Sequence, residues 1–135
     1  MVIDIGGGTT DIAVLSMGEV VTSRSLRWAG DKMNQAVINY IKNNKNLLIG
    51  QCTAEQIKIQ IGTAFDADPE KVISVRGRDI IDGLPKQTVV SATEIQSSLE
   101  DGLMSIVAAT KEVLEKTPPE LSADIIDRGL SLIHI

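Results

Sequence analysis

Aromatic residues are nearly missing from this chain of 135 residues, which holds one tryptophan, one tyrosine and one phenylalanine. With Trp28, Tyr40 and Phe65 dispersed along the sequence, no stacking platform for bases can be assembled, and a core must be built from Ile, Val, Leu and Ala. An excess of basic charge is missing too. Lys and Arg number 13 against 18 Asp and Glu, for a net charge of -5, the reverse of what neutralising a phosphate backbone requires. Arg24, Arg27, Arg76 and Arg78 form the nearest basic group and are interleaved with other residues, so no nucleic-acid partner is expected. Cysteine occurs once, at Cys52, which excludes an internal disulfide and fits a reducing compartment. Its flanks, IGQCTAE, contain no histidine to activate a nucleophile. No run approaches the ~18 to 20 apolar residues of a membrane span, and no basic-then-apolar signal segment opens the chain. The expected address is cytoplasmic.

What the sequence has in abundance is glycine at one place, in MVIDIGGGTTDIAVLS. A tight hairpin needs only one or two residues that tolerate positive φ, so three successive glycines exceed what a turn requires and point to something that comes close to the backbone. Glycine N–H groups with no Cβ in the way can converge on an anion, and Thr9 and Thr10 add hydroxyl donors. Asp4, at the end of an apolar strand beside that loop, is placed to hold a hydrated Mg²⁺, which usually takes few carboxylates plus phosphate oxygens. Asp11 is a weaker candidate in the same neighbourhood. The stretch lacks the Gly-Lys-Ser/Thr of a P-loop and leads into a strand where a dinucleotide fingerprint opens a helix. It reads as a phosphate loop in a β-hairpin, or as a glycine-rich hairpin with no ligand.

Along the chain, VIDI, DIAVLS and EVVTSRSLRW read as a three-stranded antiparallel meander with Met17-Gly18 as a turn. Met33, Val37, Ile38 and Ile41 lie on one helical stripe, with Gly30 or Asp31 capping it. Thr53 and Gln56 match a capping box before a second helix bearing Ile57, Ile61 and Ala64. KVISVRGRDI and KQTVVSA read as two strands joined through IDGLP. Ser91 and Glu94 form another capping box, opening a long helix over 92–116 whose buried face carries Ile95, Leu99, Leu103, Ile106, Val107, Val113 and Leu114. Pro118-Pro119 limits its extension. The length fits one domain or two small subdomains: a core of 1–30 and 91–135, and an inserted α+β excursion of 31–90.

DIGGGTTD followed by a meander resembles the second phosphate loop of the superfamily of actin, sugar kinases and seventy-kilodalton chaperones. AGDKMNQAVINYIKNN, LLIG, TAEQIKIQIGTA, VRGRDIIDGLPK and PPELSADIIDRG narrow this: together they look like the MreB family of bacterial actin-like proteins, from Met1 to about Gly129. The resemblance implies an α/β fold, a partial actin-like ATPase domain of ribonuclease-H-like type with a mixed sheet, flanking helices and an inserted α+β subdomain.

It also implies ATP and Mg as cofactors. Gly6, Gly7, Gly8, Thr9 and Thr10 inherit the grip on the β and γ phosphates, and Asp4 the Mg²⁺ held through water. The helix of TAEQIKIQIG lies beside the nucleoside in that family, which carries over Glu55, Gln56, Ile57 and Lys58, with Glu55 and Lys58 as ribose or adenine contacts. Read from the residues alone, those two are an i,i+3 ion pair. No catalytic residue is assigned. The implied partners are further filament subunits, a membrane-linked adaptor and the cell-wall synthesis machinery, with filaments on the inner face of the membrane through parts of the family fold not present here. The intact protein is expected to be a slow ATPase that directs cell shape, and this stretch alone to hydrolyse ATP negligibly. A sugar or acetate kinase, a chaperone ATPase and a nucleotide-free interaction module are the alternatives.

The ending LSLIHI departs from the family and reads as a truncation or a foreign segment, with strand character at Leu130, Leu132, Ile133 and Ile135; His134 within it has no partner motif. Without the family's own strand at that place, the core sheet has an unpaired edge unless this tail fills it.

Overall fold

The computed structural model describes residues 1–134; Ile135, with its expected strand character, lies outside the described residues. The chain divides into two compact units, 1–31 with 104–135, and 32–103. The second division falls inside a helix, where the sequence reading puts the boundary at 90/91.

The first unit is built on a sheet of four strands. β1 (Val2–Ile5), β2 (Thr10–Ser16) and β3 (Glu19–Leu26) form the antiparallel meander, and β7 (Ser131–His134) lies parallel to β1 on its other side. The tail therefore occupies the edge of the sheet, with Ser131 opposite Val2 and Leu132 opposite Ile3. Met17 and Gly18 turn β2 into β3 with φ of 53° and 82°, the two positive values a primed hairpin turn demands. On one face, Ile3, Ile12 and Val14 pack with Ala109 and Val113 of α3 (Ala92–Glu115), flanked by Met1, Ile5, Leu26 and Ile125. The helix α4 (Pro119–Arg128) contributes Ile125 to that core; it begins with proline at N1 and stops at Gly129, whose φ is 79°. Arg24 of β3 pairs with Glu112 of α3.

The second unit takes its buried residues from every element. Val37 and Ile41 come from α1 (Gly30–Lys45), Leu47 from β4 (Leu47–Leu48), and Ala54, Ile57 and Ile61 from α2 (Gln51–Ile61). Val75, Val90 and Ile95 come from β5 (Val72–Asp79), β6 (Pro85–Ser91) and α3. β5 sits between β4 and β6, antiparallel to both. The Ser91–Glu94 box forms, with the Glu94 N–H donating to Ser91 Oγ at 3.3 Å. The Thr53–Gln56 box does not, because α2 starts earlier, from Gly50, with no side-chain cap. On α3, Val107 is 42% exposed and does not belong to the buried face. Among the described residues, no helix is long and apolar enough to cross a membrane.

Asp79 closes the β5–β6 turn. Its Oδ1 accepts the Ile81 N–H at 2.8 Å, its own N–H donates to the Leu84 carbonyl at 2.8 Å, and Lys86 Nζ stands 3.5 Å from Oδ2. The Ile81 N–H, opposed by burial and assisted by the Lys86 ammonium, holds the Asp79 carboxyl below its ordinary value of 3.8. A carboxyl lowered on folding contributes stability that is complete above the unfolded value and is lost as pH falls through the folded one. Urea titrations at decreasing pH are expected to show stability falling below pH 3.8, and Asp79→Asn is expected to flatten that acid limb. An unchanged limb in the variant would refute the assignment.

Candidate functional site

The glycine loop is the connection between β1 and β2. Ile5 faces Thr10 as the last pair of the ladder, and the Gly6 N–H donates to the Thr9 carbonyl at 3.0 Å, closing residues 6–9 into a turn. None of Gly6, Gly7 and Gly8 has a positive φ. A Cβ would also be tolerated by the chain itself: at Gly8 it meets nothing within 4 Å, at Gly7 its nearest neighbour is Asp31 Oδ1 at 3.7 Å, and at Gly6 it is the Thr9 carbonyl at 3.5 Å. Neither conformation nor the chain's own packing asks for glycine here.

Behind the loop, the start of α1 holds it by backbone bonds. The Gly30 N–H donates to the Gly6 carbonyl at 3.0 Å and the Asp31 N–H to the Gly7 carbonyl at 2.8 Å. Among the described residues, no hydrogen bond engages the N–H of Gly7 or Gly8, and Gly7, Gly8 and Thr9 are exposed. Thr10 is different from the hydroxyl donor expected from sequence. It is fully buried, and its hydroxyl donates to the Trp28 carbonyl at 2.7 Å. Side chains alternate along a strand; Thr9 turns outward and Thr10 inward, so the Thr10 hydroxyl braces the loop from within the core.

Asp4 and Asp11 are direct partners across the β1–β2 ladder, which puts two carboxylates on one face next to the loop. Like charges at such a position destabilise a sheet. Asp4 Oδ1 is buried and has no hydrogen-bond partner, while Asp11 Oδ2 accepts the Thr9 hydroxyl at 3.4 Å. An orphaned buried carboxylate oxygen is rare in native structures and asks for an explanation. Among the described residues there is no group of three or more His, Cys, Asp or Glu able to hold a metal. A carboxylate pair without a full cage fits Mg²⁺, which keeps waters and shares phosphate oxygens, and does not suit a metal that needs an all-protein shell.

In the second unit, Glu55 and Lys58 are joined on α2, Lys58 Nζ standing 2.9 Å from Glu55 Oε2. Their side chains are 43% and 13% exposed respectively, so the carboxylate reaches solvent while the lysine stem is packed away. Gln56 is exposed on another part of the helix, and Ile57 is 1% exposed. The Ile57 side chain thus belongs to the core, in contrast with its neighbours Glu55 and Lys58. Sequence reasoning passed over Asn34 of α1, which is 7% exposed and donates through Nδ2 to Glu55 Oε2 at 2.8 Å. Its signal was an amide set among Met33, Val37 and Ile41 on the buried stripe.

Residues 1–134 match the family described as MreB/Mbl protein. The chain belongs to the MreB/Mbl family. It is similar to the cell shape-determining protein Mbl of Bacillus subtilis, 55% identical over 130 residues that are 96% of this chain and 39% of that protein. The cell shape-determining protein MreB of Escherichia coli is 46% identical over 132 residues, 98% of this chain and 38% of that one. The crystal structure of MreB5 of Spiroplasma citri bound to ADP superposes with a TM-score of 0.94 at 41% identity, covering 98% of this chain and 40% of that one. The same MreB5 bound to AMPPNP gives a TM-score of 0.93. The chain spans about two-fifths of the length of the relatives it matches. Its α/β architecture, a mixed sheet with flanking helices, is that of the actin-like MreB proteins.

Proposed function

We propose that this MreB/Mbl chain serves in an actin-like cytoskeletal protein that binds ATP with Mg²⁺, assembles with further copies of itself and directs cell shape. The observation that carries this reading is the loop of Gly6, Gly7 and Gly8, bare where neither φ nor packing demands it. The N–H groups of Gly7 and Gly8 and the hydroxyl of Thr9 grip the phosphates, in keeping with backbone recognition of anions. Asp4 holds Mg²⁺ through water, and the bound ion offsets the charge of the phosphate oxygens. Glu55 and Lys58 contact the nucleoside. The likeness to MreB5, crystallised with ADP and with AMPPNP, supports nucleotide as the ligand, and the likeness to two cell shape-determining proteins supports the cellular role. Filaments act at the inner face of the membrane through an adaptor and the cell-wall synthesis machinery.

The test uses the protein at the full length of its relatives. Sedimentation with Mg-ATP is expected to pellet the wild type, and Gly8→Val to abolish nucleotide binding while melting within a few degrees of wild type, because a Cβ at Gly8 meets nothing in the chain. Tight ATP binding by Gly8→Val would sink the phosphate-loop assignment. Phosphate transfer to a sugar or acetate acceptor, with no ATP-dependent pellet, would replace the filament by a kinase.

A further inference from the structure

Asn34 is a polar residue on a buried helix face, and its surroundings do not welcome it. It is 7% exposed, between Met33 at 7% and Val37 at 0%, and its Oδ1 is buried without a hydrogen-bond partner. A buried amide with one end unpaired costs stability that an apolar side chain of similar size avoids. Its other end is engaged: Nδ2 donates to Glu55 Oε2 at 2.8 Å, the same oxygen that Lys58 Nζ approaches at 2.9 Å. This contact also fixes the orientation of the amide, because only the NH₂ group can face a carboxylate.

Two donors on two helices therefore hold one carboxylate oxygen. Lys58 rides on the same helix as Glu55 and moves with it; Asn34 rides on α1, and ties the carboxylate to a second support. The Glu55 side chain is 43% exposed, and a hold from a second helix narrows the rotamers it can reach. An acceptor held in one orientation recognises a hydroxyl or amine of a ligand with little ordering cost on binding, and a site built around such a bond discriminates against analogues that lack the donor.

We infer that Asn34 is a positioning residue of the nucleoside site, which fixes Glu55 so that its carboxylate selects nucleotides by one donor, a ribose hydroxyl or the exocyclic amine of the base. This inference rests on the reading of α2 as the nucleoside-facing helix. Asn34 does not itself touch the ligand, since its polar atoms are buried.

The experiment measures affinities of the protein, at the full length of its relatives, for ATP, 2′-deoxy-ATP and inosine triphosphate. Wild type is expected to prefer ATP over one of the two analogues, and which one names the donor. Asn34→Ala and Asn34→Leu are each expected to weaken ATP by about tenfold, the scale of a lost charge-assisted bond, and to bring the favoured and disfavoured nucleotides close to equal affinity. Asn34→Leu fills the site and is expected to melt no lower than wild type, so its loss of discrimination cannot be laid to unfolding. Glu55→Gln separates the two levels of the argument. If Glu55→Gln leaves both ATP affinity and discrimination intact, the nucleoside role of α2 falls and the inference with it. If Glu55→Gln abolishes discrimination while both Asn34 variants keep the wild-type ratio, the role of α2 stands and the inference about Asn34 alone is overturned.

Discussion

Asp4→Ala is expected to lower Mg-dependent ATP turnover of the protein, at the full length of its relatives, by about 100-fold or more, the usual scale for removing a preorganised group that organises charge in a reacting site. The expectation comes from a conflict in the hairpin. Asp4 faces Asp11 across the ladder, and one of its oxygens is buried without a partner; both features work against folding. Relieving them should therefore stabilise the protein when no nucleotide or metal is present. Asp4→Asn is expected to raise the unfolding free energy by about 0.5 kcal/mol, in the range for a like-charge cross-strand pair, while losing most of the further stabilisation that Mg-ADP gives to wild type. Thermal melts with and without Mg-ADP, beside a turnover assay, would settle both halves. Wild-type turnover in Asp4→Ala would remove Asp4 from the metal site.

The second large effect is on the fold. Gly77→Val is expected to destabilise the protein by about 3 kcal/mol, the upper end for overpacking a tight site. Gly77 lies in β5 beside the short strand β4. A Cβ there would run into the Leu48 carbonyl oxygen and come within 3.0 Å of Leu47 Cγ and 3.1 Å of Ile49 Cγ2. Backbone cannot give way as a side chain can. β4 pairs with β5 through only two residues, Leu47 with Asp79 and Leu48 with Arg78, so it is the partner that would separate. Urea denaturation gives the measurement; a midpoint unchanged from wild type would show that β4 is not held where Gly77 requires it. Here glycine is demanded by the chain's own packing, the reverse of the case at Gly8.

That contrast shows which parts of the molecule are legible in sequence. The meander and the long helix carry strong local signals, two-residue alternation and a three-to-four-residue apolar stripe, and both form. The glycine run reads correctly as a hairpin loop because its flanks are strands. α4 is short and opens at the Pro118-Pro119 pair that reads as the limit of α3, and its apolar residues are weakly buried, Leu121 and Ile125 half-buried and Ile126 85% exposed. β4 consists of two residues that become a strand only by pairing with β5, some thirty residues later, and no local pattern can announce that. Thr10 and Ile57 show the limit within a motif. A hydroxyl beside a phosphate loop and a residue between Glu55 and Lys58 look alike to sequence reasoning whichever way they point. Register and helical phase decide, and they turn both side chains into the core. Asn34 is half legible: an amide on an apolar stripe stands out, but the carboxylate it bonds lies twenty-one residues away.

β1 has a hydrogen-bonded neighbour on each side, β2 antiparallel and β7 parallel. Its amides should be among the slowest to exchange with deuterium, because releasing them requires both neighbours to leave. Asp4 sits on that strand, one residue before its end. The carboxylate is therefore anchored to an interior strand of its sheet while the glycines beside it occupy a loop tethered from one side by the first residues of α1. Arrival of a charged ligand would then reshape the soft loop around a stationary carboxylate, with the reorganisation confined to the residues that have no side chains to move.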